Sequence, residues 1–566
     1  MFNVKSLFGK SGDNDPLANR KMALQWLGGL PADDITTAQG QIVDHLKQLA
    51  DACPSAREEV NRLEIIDALD HHIQTFQATL CEQYLRSPRM SQTVENRLWT
   101  VIYGYYFGIS QLYLQHLQAQ IGNRELRQND ALLLRLCLRG LYNLGFAFKW
   151  RFLRYSLPDN EMWSMLNGFY LIAETQGFEN QPQTVYDARE FRCSSLLLRT
   201  ELLALAHPGS LLPDQIEYLD RWLLESTESM TLERQPRTER HHYFIDLAEA
   251  QGALPVSAVS YPHTCRAWDM STLLIRLQHS RATLGPNAAP RSALDPAQRQ
   301  KMLATFSHAE KQWYPAHLGK LRKNPRIKAN RHLNAVHGLP ALCNNVRRSM
   351  EESPGGSADS MEIKYNEMVD LQMYGFVTES TRNRHQSLRA PLKIQEPVEH
   401  WESENESANG YLVRFPVGNS NWMHLGSLIG VRQEGSPDWK ATVVRRLIKT
   451  QQTTAMAGLE IIAQQPVPIT LLPIQSDPQT LNVAPSATGQ TINQALMTRP
   501  LHDTQFTLII DSVNYARSRL YKFQMVAGQP FTYFRLGQII EKGDLWVHAE
   551  AMVIREEHTD PAGLTG

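Results

Sequence analysis

The spacing of hydrophobic residues changes near residue 320, and this change limits the possible folds more than any other feature of the chain. Before it, apolar residues recur every three or four positions, as at Leu63, Ile66 and Leu69, which is the period of an amphipathic helix. After it come short alternating segments such as 411–415 and short β-branched runs such as 467–472, which predict strands. Consecutive strands without helices between them favour antiparallel barrels or sandwiches. The predicted fold class is therefore an all-α N-terminal region of helical hairpins, followed by an antiparallel β-barrel and a second β-rich unit.

The chain has 566 residues, which is too many for one ordinary domain. Helices are predicted to start after Ser91, and at Pro296 after a turn-rich stretch at 285–296. Four segments are predicted: an N-terminal tail at 1–15, a helical domain at 16–316, a β-barrel at 317–470 with an insertion at about 340–400, and a β-rich domain at 471–566.

The composition indicates a globular protein of a reducing compartment. Hydrophobic residues make up 42% and charged residues 20% of the chain, which excludes wholesale disorder. The cysteines form no CxxC pair, so we expect reduced core thiols rather than a disulfide or zinc framework. The most apolar stretch, 131–148, carries Arg135, Arg139 and Asn143 on one helical face, which predicts a core helix and not a transmembrane segment. No signal peptide is expected at the N-terminus, and cytoplasmic localisation is predicted. The six cysteines are Cys53, Cys81, Cys137, Cys193, Cys265 and Cys343.

The formal net charge of −1 conceals a local excess of positive charge. Residues 311–350 contain nine cations and no acidic residue. This basic stretch spans the junction between the helical and β halves, where an anion could be held. The nine cations are Lys311, Lys320, Arg322, Lys323, Arg326, Lys328, Arg331, Arg347 and Arg348.

Two short motifs stand out in the β half. Arg322 and Arg326 are four positions apart with Pro325 between them, so they cannot lie inside a regular helix. Two guanidinium groups on an extended or turning segment can bind phosphate oxygens, or the O6/N7 edge of guanine, in a bidentate manner. The second motif is Asn405-x-Ser407-x-x-Gly410, which directly precedes a predicted strand. Asn and Ser can bond a ligand or a turn, and glycine permits a positive φ or a close backbone approach.

Together, in this order and each beside a strand, the two motifs resemble the PilZ domain, over roughly residues 318–470. PilZ domains are small β-barrels that bind the bacterial second messenger cyclic di-GMP. The resemblance implies that Arg322 and Arg326 pair with phosphates and guanine edges. It also implies that Asn405 and Ser407 hydrogen-bond a guanine, and that Gly410 lets the turn come close.

The spacing between the motifs departs from the family, because about eighty residues separate Arg326 from Asn405. Either 340–400 is an insertion, or the arginine motif lies later in the chain. Arg384 and Arg389 form the alternative pair, with one more residue between them than the family pattern has. We favour Arg322 and Arg326, because their motif and the strand after it match better.

Other classes of function have weaker support. A metal-dependent phosphohydrolase would need several His and Asp ligands on one face, whereas Asp70, His71 and His72 are adjacent and point in different directions around a helix. The pair His241-His242, and His263 with Cys265, are weaker still. No GxSxG, Walker A, HExxH or GxGxxG pattern stands in a convincing context.

Two non-enzymatic alternatives remain. A nucleic-acid site in the basic stretch should offer more stacking aromatics than Trp313 and Tyr314. A PilZ-like adaptor that has lost its ligand is disfavoured by the intact second motif.

The function predicted is a cyclic di-GMP receptor that acts without catalysis, through a ligand-dependent conformational change. Cyclic di-GMP is the only small molecule expected, with no cofactor, no metal and no nucleic acid. An unidentified protein partner would bind the helical or C-terminal domain. By family resemblance, the regulated process would be motility, pili, adhesion or exopolysaccharide production.

Overall fold

A computed structural model describes fourteen stretches of the chain, which form parts of two compact units, Met1–Lys320 and Leu321–Gly566. The residues described are 15–52, 56–87, 90–122, 130–186, 189–257, 260–285, 295–314, 326–352, 398–417, 423–450, 453–474, 493–502, 504–524 and 530–554. The predicted N-terminal tail thus lies almost wholly outside them.

The first unit is helical, as predicted. Two of its helices begin where the sequence indicates: Ser91 accepts a hydrogen bond from Val94 N at the start of α4, and α10 starts at Pro296. The helices are α1 Arg20–Gly28, α2 Ile35–Asp51, α3 Ala56–Arg86, α4 Gln92–Gly122, α5 Asp130–Leu153, α6 Asn160–Gln176, α7 Cys193–Leu205, α8 Pro213–Ser226, α9 Ser271–Leu284 and α10 Pro296–Trp313.

Two small antiparallel sheets interrupt the helices, which the sequence analysis did not predict. Their strands are two to four residues long, so they show too few alternations to be recognised by periodicity. One sheet pairs β1 Gln183–Val185 with β2 Arg189–Phe191, and the other has the order β4-β3-β5, from β3 Tyr243–Asp246, β4 Leu254–Pro255 and β5 Cys265–Trp268.

Helix α5 is long and apolar enough to cross a membrane by length and composition, but 67% of its most apolar window is buried inside the protein. Its polar stripe binds acidic residues of α3: Arg135 and Arg139 donate to Asp67 at 2.9 and 3.1 Å. These contacts identify α5 as a core helix. Of the five cysteines in the described residues, Cys81 is half-buried and the other four are buried.

The second unit contains two closed six-stranded antiparallel barrels. The first has the order β10-β11-β8-β7-β6-β9, and the second β12-β13-β14-β17-β16-β15. Closure leaves these barrels without open strand edges. The strands are β6 Ile327–His337, β7 Glu399–Ser407, β8 Gly410–Pro416, β9 Leu428–Gln433, β10 Trp439–Lys449, β11 Thr454–Ala463, β12 Val467–Pro473, β13 Asn493–His502, β14 Gln505–Asp511, β15 Leu520–Phe523, β16 Thr532–Lys542 and β17 Trp546–Val553.

A helix between the barrels, α11 Gly338–Glu352, occupies the start of the predicted insertion; the rest of it, 353–397, lies outside the described residues. Leu339, Leu342 and Val346 are buried on one face of α11, in a hydrophobic cluster shared by both barrels. Close packing on β9 depends on Gly430, where a Cβ atom would lie 2.4 Å from Leu342 Cδ1.

Further contacts join the barrels directly. Trp546 Nε1 donates to Gly426 O at 2.9 Å, and Arg445 Nη2 donates to Glu541 Oε2 at 2.8 Å. The domain boundary predicted at residue 470 falls inside β12, which pairs with β13 and β15. The second barrel therefore begins at Val467, after the connector 464–466.

The helical unit buries ionised groups that are paired and one carboxyl group that is not. Arg199 donates to both oxygens of Asp220 at 2.7 and 2.8 Å, and Lys149 donates to Glu217 at 2.7 Å. Burial opposes ionisation of Glu217, but Lys149 outweighs it and the pKa of Glu217 is lowered. Glu201 has no cationic partner among the described residues, and burial raises its pKa to about 8.

Replacement of Glu201 by Gln should therefore stabilise the helical unit in a pH-dependent way. The folded state holds the Glu201 proton more tightly than the unfolded state, so the group loses stabilising effect as the pH rises from about 4.5 to about 8. Glu201→Gln cannot ionise, and its advantage over the parent should grow between pH 5 and pH 8 by on the order of 3 kcal/mol. Calorimetric unfolding of the full chain at both pH values measures this difference.

The matched control is Glu217→Gln, which removes the carboxylate that Lys149 binds and should destabilise the unit at pH 8. An equal effect of Glu201→Gln at pH 5 and pH 8 would contradict the assignment.

Candidate functional site

The residues of the second motif lie on one β-hairpin. Asn405 and Ser407 are on β7, and Gly410 is the first residue of β8. The turn itself contains only Ala408 and Asn409, so it is shorter than the sequence suggests. Arg326 immediately precedes β6 and is exposed. Arg322, Arg384 and Arg389 lie outside the residues that the structure describes.

The register of β6 on β7 brings the end of the basic stretch to this hairpin. Ile327 is the cross-strand partner of Glu406, and Lys328 is the partner of Asn405. The segment between β6 and β7 is long and includes α11. The two strands are nevertheless neighbours, because antiparallel pairing aligns the start of β6 with the end of β7. The large sequence spacing is therefore compatible with one site at Arg326 and Asn405.

Several of these residues share one face of the sheet. Directly opposed residues in an antiparallel pair lie on the same face of the sheet. Lys328 is opposite Asn405, and Ser407 is opposite Gly410. Side chains alternate along a strand, so the same face recurs every second residue. If the alternation continues one residue beyond the start of β6 at Ile327, Arg326 is expected on the face of Asn405.

Two irregularities of the ladder surround Asn405. The register of β6 on β7 shifts between Lys328 and Arg331, and that of β7 on β8 shifts between Ser403 and Asn405. Bulges of this kind bend a strand and redirect its side chains. Asn405 Oδ1 is a buried acceptor without a hydrogen-bond partner among the described residues. A buried acceptor of this kind favours a donor from beyond the described residues, since leaving it unpaired is costly.

Gly410 is required by the barrel itself. It is not among the glycines with positive φ, and a Cβ atom there would lie 2.2 Å from Leu459 O on β11. Of the two roles considered for this glycine, close backbone approach is thus the one present, and the neighbouring backbone belongs to the same barrel. Ser407 Oγ donates to Gly410 O at 3.3 Å across the turn.

The turn of the hairpin is held by residues near the barrel junction. Gln464 Nε2 donates to Ala408 O at 2.9 Å, and Ile461 N donates to Asn409 O at 3.0 Å. Gln464 belongs to the connector 464–466, which lines a cleft of about 880 Å³ between the barrels. The sequence analysis missed Gln464, because a single glutamine between two strands carries no recognisable pattern.

Charges near the hairpin are distributed unevenly. Three carboxylates near the hairpin have an arginine partner: Glu404 binds Arg414, Glu406 lies 3.7 Å from Arg331, and Glu460 lies 2.6 Å from Arg445. Lys328 is exposed and forms no ion pair with the described part of the chain. Lys328 therefore contributes an exposed positive charge directly opposite Asn405, where it could attract an anion.

The histidine and aspartate residues considered for an enzymatic site are not arranged as metal ligands in the described part of the chain. Asp70 is fully buried and accepts hydrogen bonds from Tyr105 and Tyr113, each at 2.5 Å, while the side chain of His71 is exposed. His241 Nδ1 accepts a hydrogen bond from Arg237 N at 2.9 Å. Within the described ranges, no cluster of three or more His, Cys, Asp or Glu side chains could hold a metal ion.

Comparison with protein families gives two matches from one family. Residues 21–237 match the domain described as "Cyclic-di-GMP receptor FimW, N-terminal domain", and residues 297–468 match "Cyclic-di-GMP receptor FimW, middle PilZ domain". The second match contains both motifs and all six strands of the first barrel. A comparison with curated proteins finds no match.

Substitution of Gly410 by Ala should destabilise the first barrel. The added Cβ atom must displace β11, since the atom that it meets is backbone and cannot rotate away. We expect a loss of about 1 to 3 kcal/mol, measured by thermal unfolding of the full chain. Gly28→Ala is the control, because a Cβ atom there has no neighbour within 4 Å. Equal melting behaviour of the two variants would show that β11 accommodates the methyl group.

Proposed function

We propose that this chain, which belongs to the FimW family of cyclic di-GMP receptors, binds the nucleotide through Arg322, Arg326, Asn405, Ser407 and Gly410. The arginines would pair with phosphate oxygens and guanine edges. The Asn405 and Ser407 side chains would hydrogen-bond a guanine.

The observation that carries this proposal is the pairing of β6 with β7 beside an unpartnered buried acceptor. Asn405 and Lys328 lie on the same face of the sheet. Guanine offers N–H donors that could form a hydrogen bond to Asn405 Oδ1. The same ligand carries two phosphates, whose charge suits the cations at the start of β6. One ligand therefore accounts for both the acceptor and the positive charge.

We further propose that binding acts without catalysis, by changing the hairpin and the elements attached to it. The hydrogen bond from Gln464 to Ala408 O links the hairpin to the connector 464–466. A shift of the turn would move this connector, and with it one wall of the cleft between the barrels. A partner protein that recognises the helical domain or the second barrel could respond to such a change.

The cellular setting follows the family. We propose a cytoplasmic receptor that regulates motility, pili, adhesion or exopolysaccharide production, without a cofactor and without nucleic acid as a partner. For the domains we propose a helical region at 16–316, a PilZ-like barrel that starts at about 317, and a C-terminal β-barrel that starts after the connector.

Loss of Arg326 should strongly weaken nucleotide binding. Arg326→Ala removes a charge-assisted contact, so we expect a loss on the order of 2 to 3 kcal/mol in isothermal titration calorimetry with cyclic di-GMP. Arg535→Ala, which removes an exposed arginine of the second barrel, is the matched control and should leave the affinity unchanged. GMP and a single-stranded oligonucleotide should show no saturable binding to the parent.

Two double variants distinguish the arginine motifs. Arg322→Ala/Arg326→Ala should abolish binding, whereas Arg384→Ala/Arg389→Ala should retain it. The reverse result would transfer the site to the later pair. A parent chain that does not bind cyclic di-GMP would refute the proposed site and favour an adaptor.

A further inference from the structure

Lys328 occupies a position in the first barrel for which the two sequence motifs assign no role. We propose that Lys328 is a further ligand-binding residue, whose ammonium group contacts a phosphate of the cyclic dinucleotide; this inference rests on the proposed function. It adds a third cation, on a described strand, to the two arginines of the motif.

The first argument is geometric. Lys328 is the cross-strand partner of Asn405, so their side chains leave the same face of the sheet on neighbouring strands. Opposed residues on such strands have Cβ atoms about 5 Å apart. A nucleotide whose base reaches Asn405 Oδ1 therefore brings the rest of its atoms within reach of the long Lys328 side chain.

The second argument concerns the bulge that follows Lys328. The register of β6 on β7 shifts between Lys328 and Arg331, so the two cations lie on either side of a bulge. They also differ in their contacts. Arg331 donates to Gln433 Oε1 at 3.1 Å and lies 3.7 Å from Glu406. It already has partners within the barrel, whereas Lys328 forms no ion pair with the residues that the structure describes.

The third argument is the balance of charge around the hairpin. The carboxylates of Glu404, Glu406 and Glu460 are each next to an arginine, and none of the three forms an ion pair with Lys328. An uncompensated ammonium group attracts an anion more strongly than one that a carboxylate already binds.

The chemistry of lysine identifies the part of the ligand that it would contact. An ammonium group is a compact point charge with rotatable donors, whereas the planar guanidinium group suits bidentate contacts to a base edge. Lys328 should therefore contribute affinity through a phosphate and leave base preference to Asn405.

Calorimetric titration of the full chain with cyclic di-GMP, at low and high NaCl concentrations, tests the proposal. Lys328→Met, which keeps the apolar stem but removes the charge, should bind about tenfold more weakly than the parent at low salt. Because one fewer charged contact is screened, its affinity should also fall less with salt. Lys328→Arg should retain most of the affinity, and Lys542→Met, at an exposed lysine of β16, should behave like the parent.

Cyclic di-AMP is the probe for base recognition. Lys328→Met should keep the parent's discrimination between the two cyclic dinucleotides, whereas Asn405→Ala should reduce it. A parent that fails to bind cyclic di-GMP would refute the proposed function and this inference together. A parent that binds, with Lys328→Met equal to it in affinity and salt dependence, would refute the role of Lys328 alone. Weaker binding with unchanged salt dependence would also refute it, because the effect would then be structural.

Discussion

The antiparallel pairing of β6 with β7 is the contact on which the second unit most depends. It closes the first barrel, because β6 is the strand that joins β7 to β9. It also sets Lys328 opposite Asn405, although the two belong to distant parts of the chain. A slip of one residue would turn Asn405 to the other side of the sheet. Barrel closure and the composition of the proposed ligand site therefore depend on the same hydrogen bonds.

Helix α11 and the connector 464–466 make the two barrels one structural unit. The apolar face of α11 is buried in a cluster that includes Leu496 and Trp546 of the second barrel. Gln464, in the connector, holds the turn between β7 and β8. The hairpin that carries the site is thus attached to the junction, and a change in its position has a direct structural route to the second barrel.

Motif residues that occur together in the sequence serve different physical purposes. Gly410 lets β11 approach the hairpin, so the barrel itself requires this glycine, whatever its role toward a ligand. Asn405 leaves a buried acceptor unpartnered, which is a cost in folding that a bound ligand can offset. Lys328, outside both motifs, lies directly opposite Asn405 in the strand register. A motif therefore identifies the site, while the strand pairing determines which of its residues can face a ligand.

The sequence by itself determined the helical and β halves, the starts of α4 and α10, and the receptor family, because these depend on local periodicity, capping residues and short motifs. The helical spacing of Leu339, Leu342 and Val346 also predicts α11, although this helix was not among the predicted elements. The two small sheets, the bracing by Gln464 and the start of the second barrel at Val467 were decided only by tertiary structure. So was the meeting of Lys328 with Asn405, because strand register is set by long-range pairing and core packing, and no local pattern specifies which distant residues will lie opposite each other.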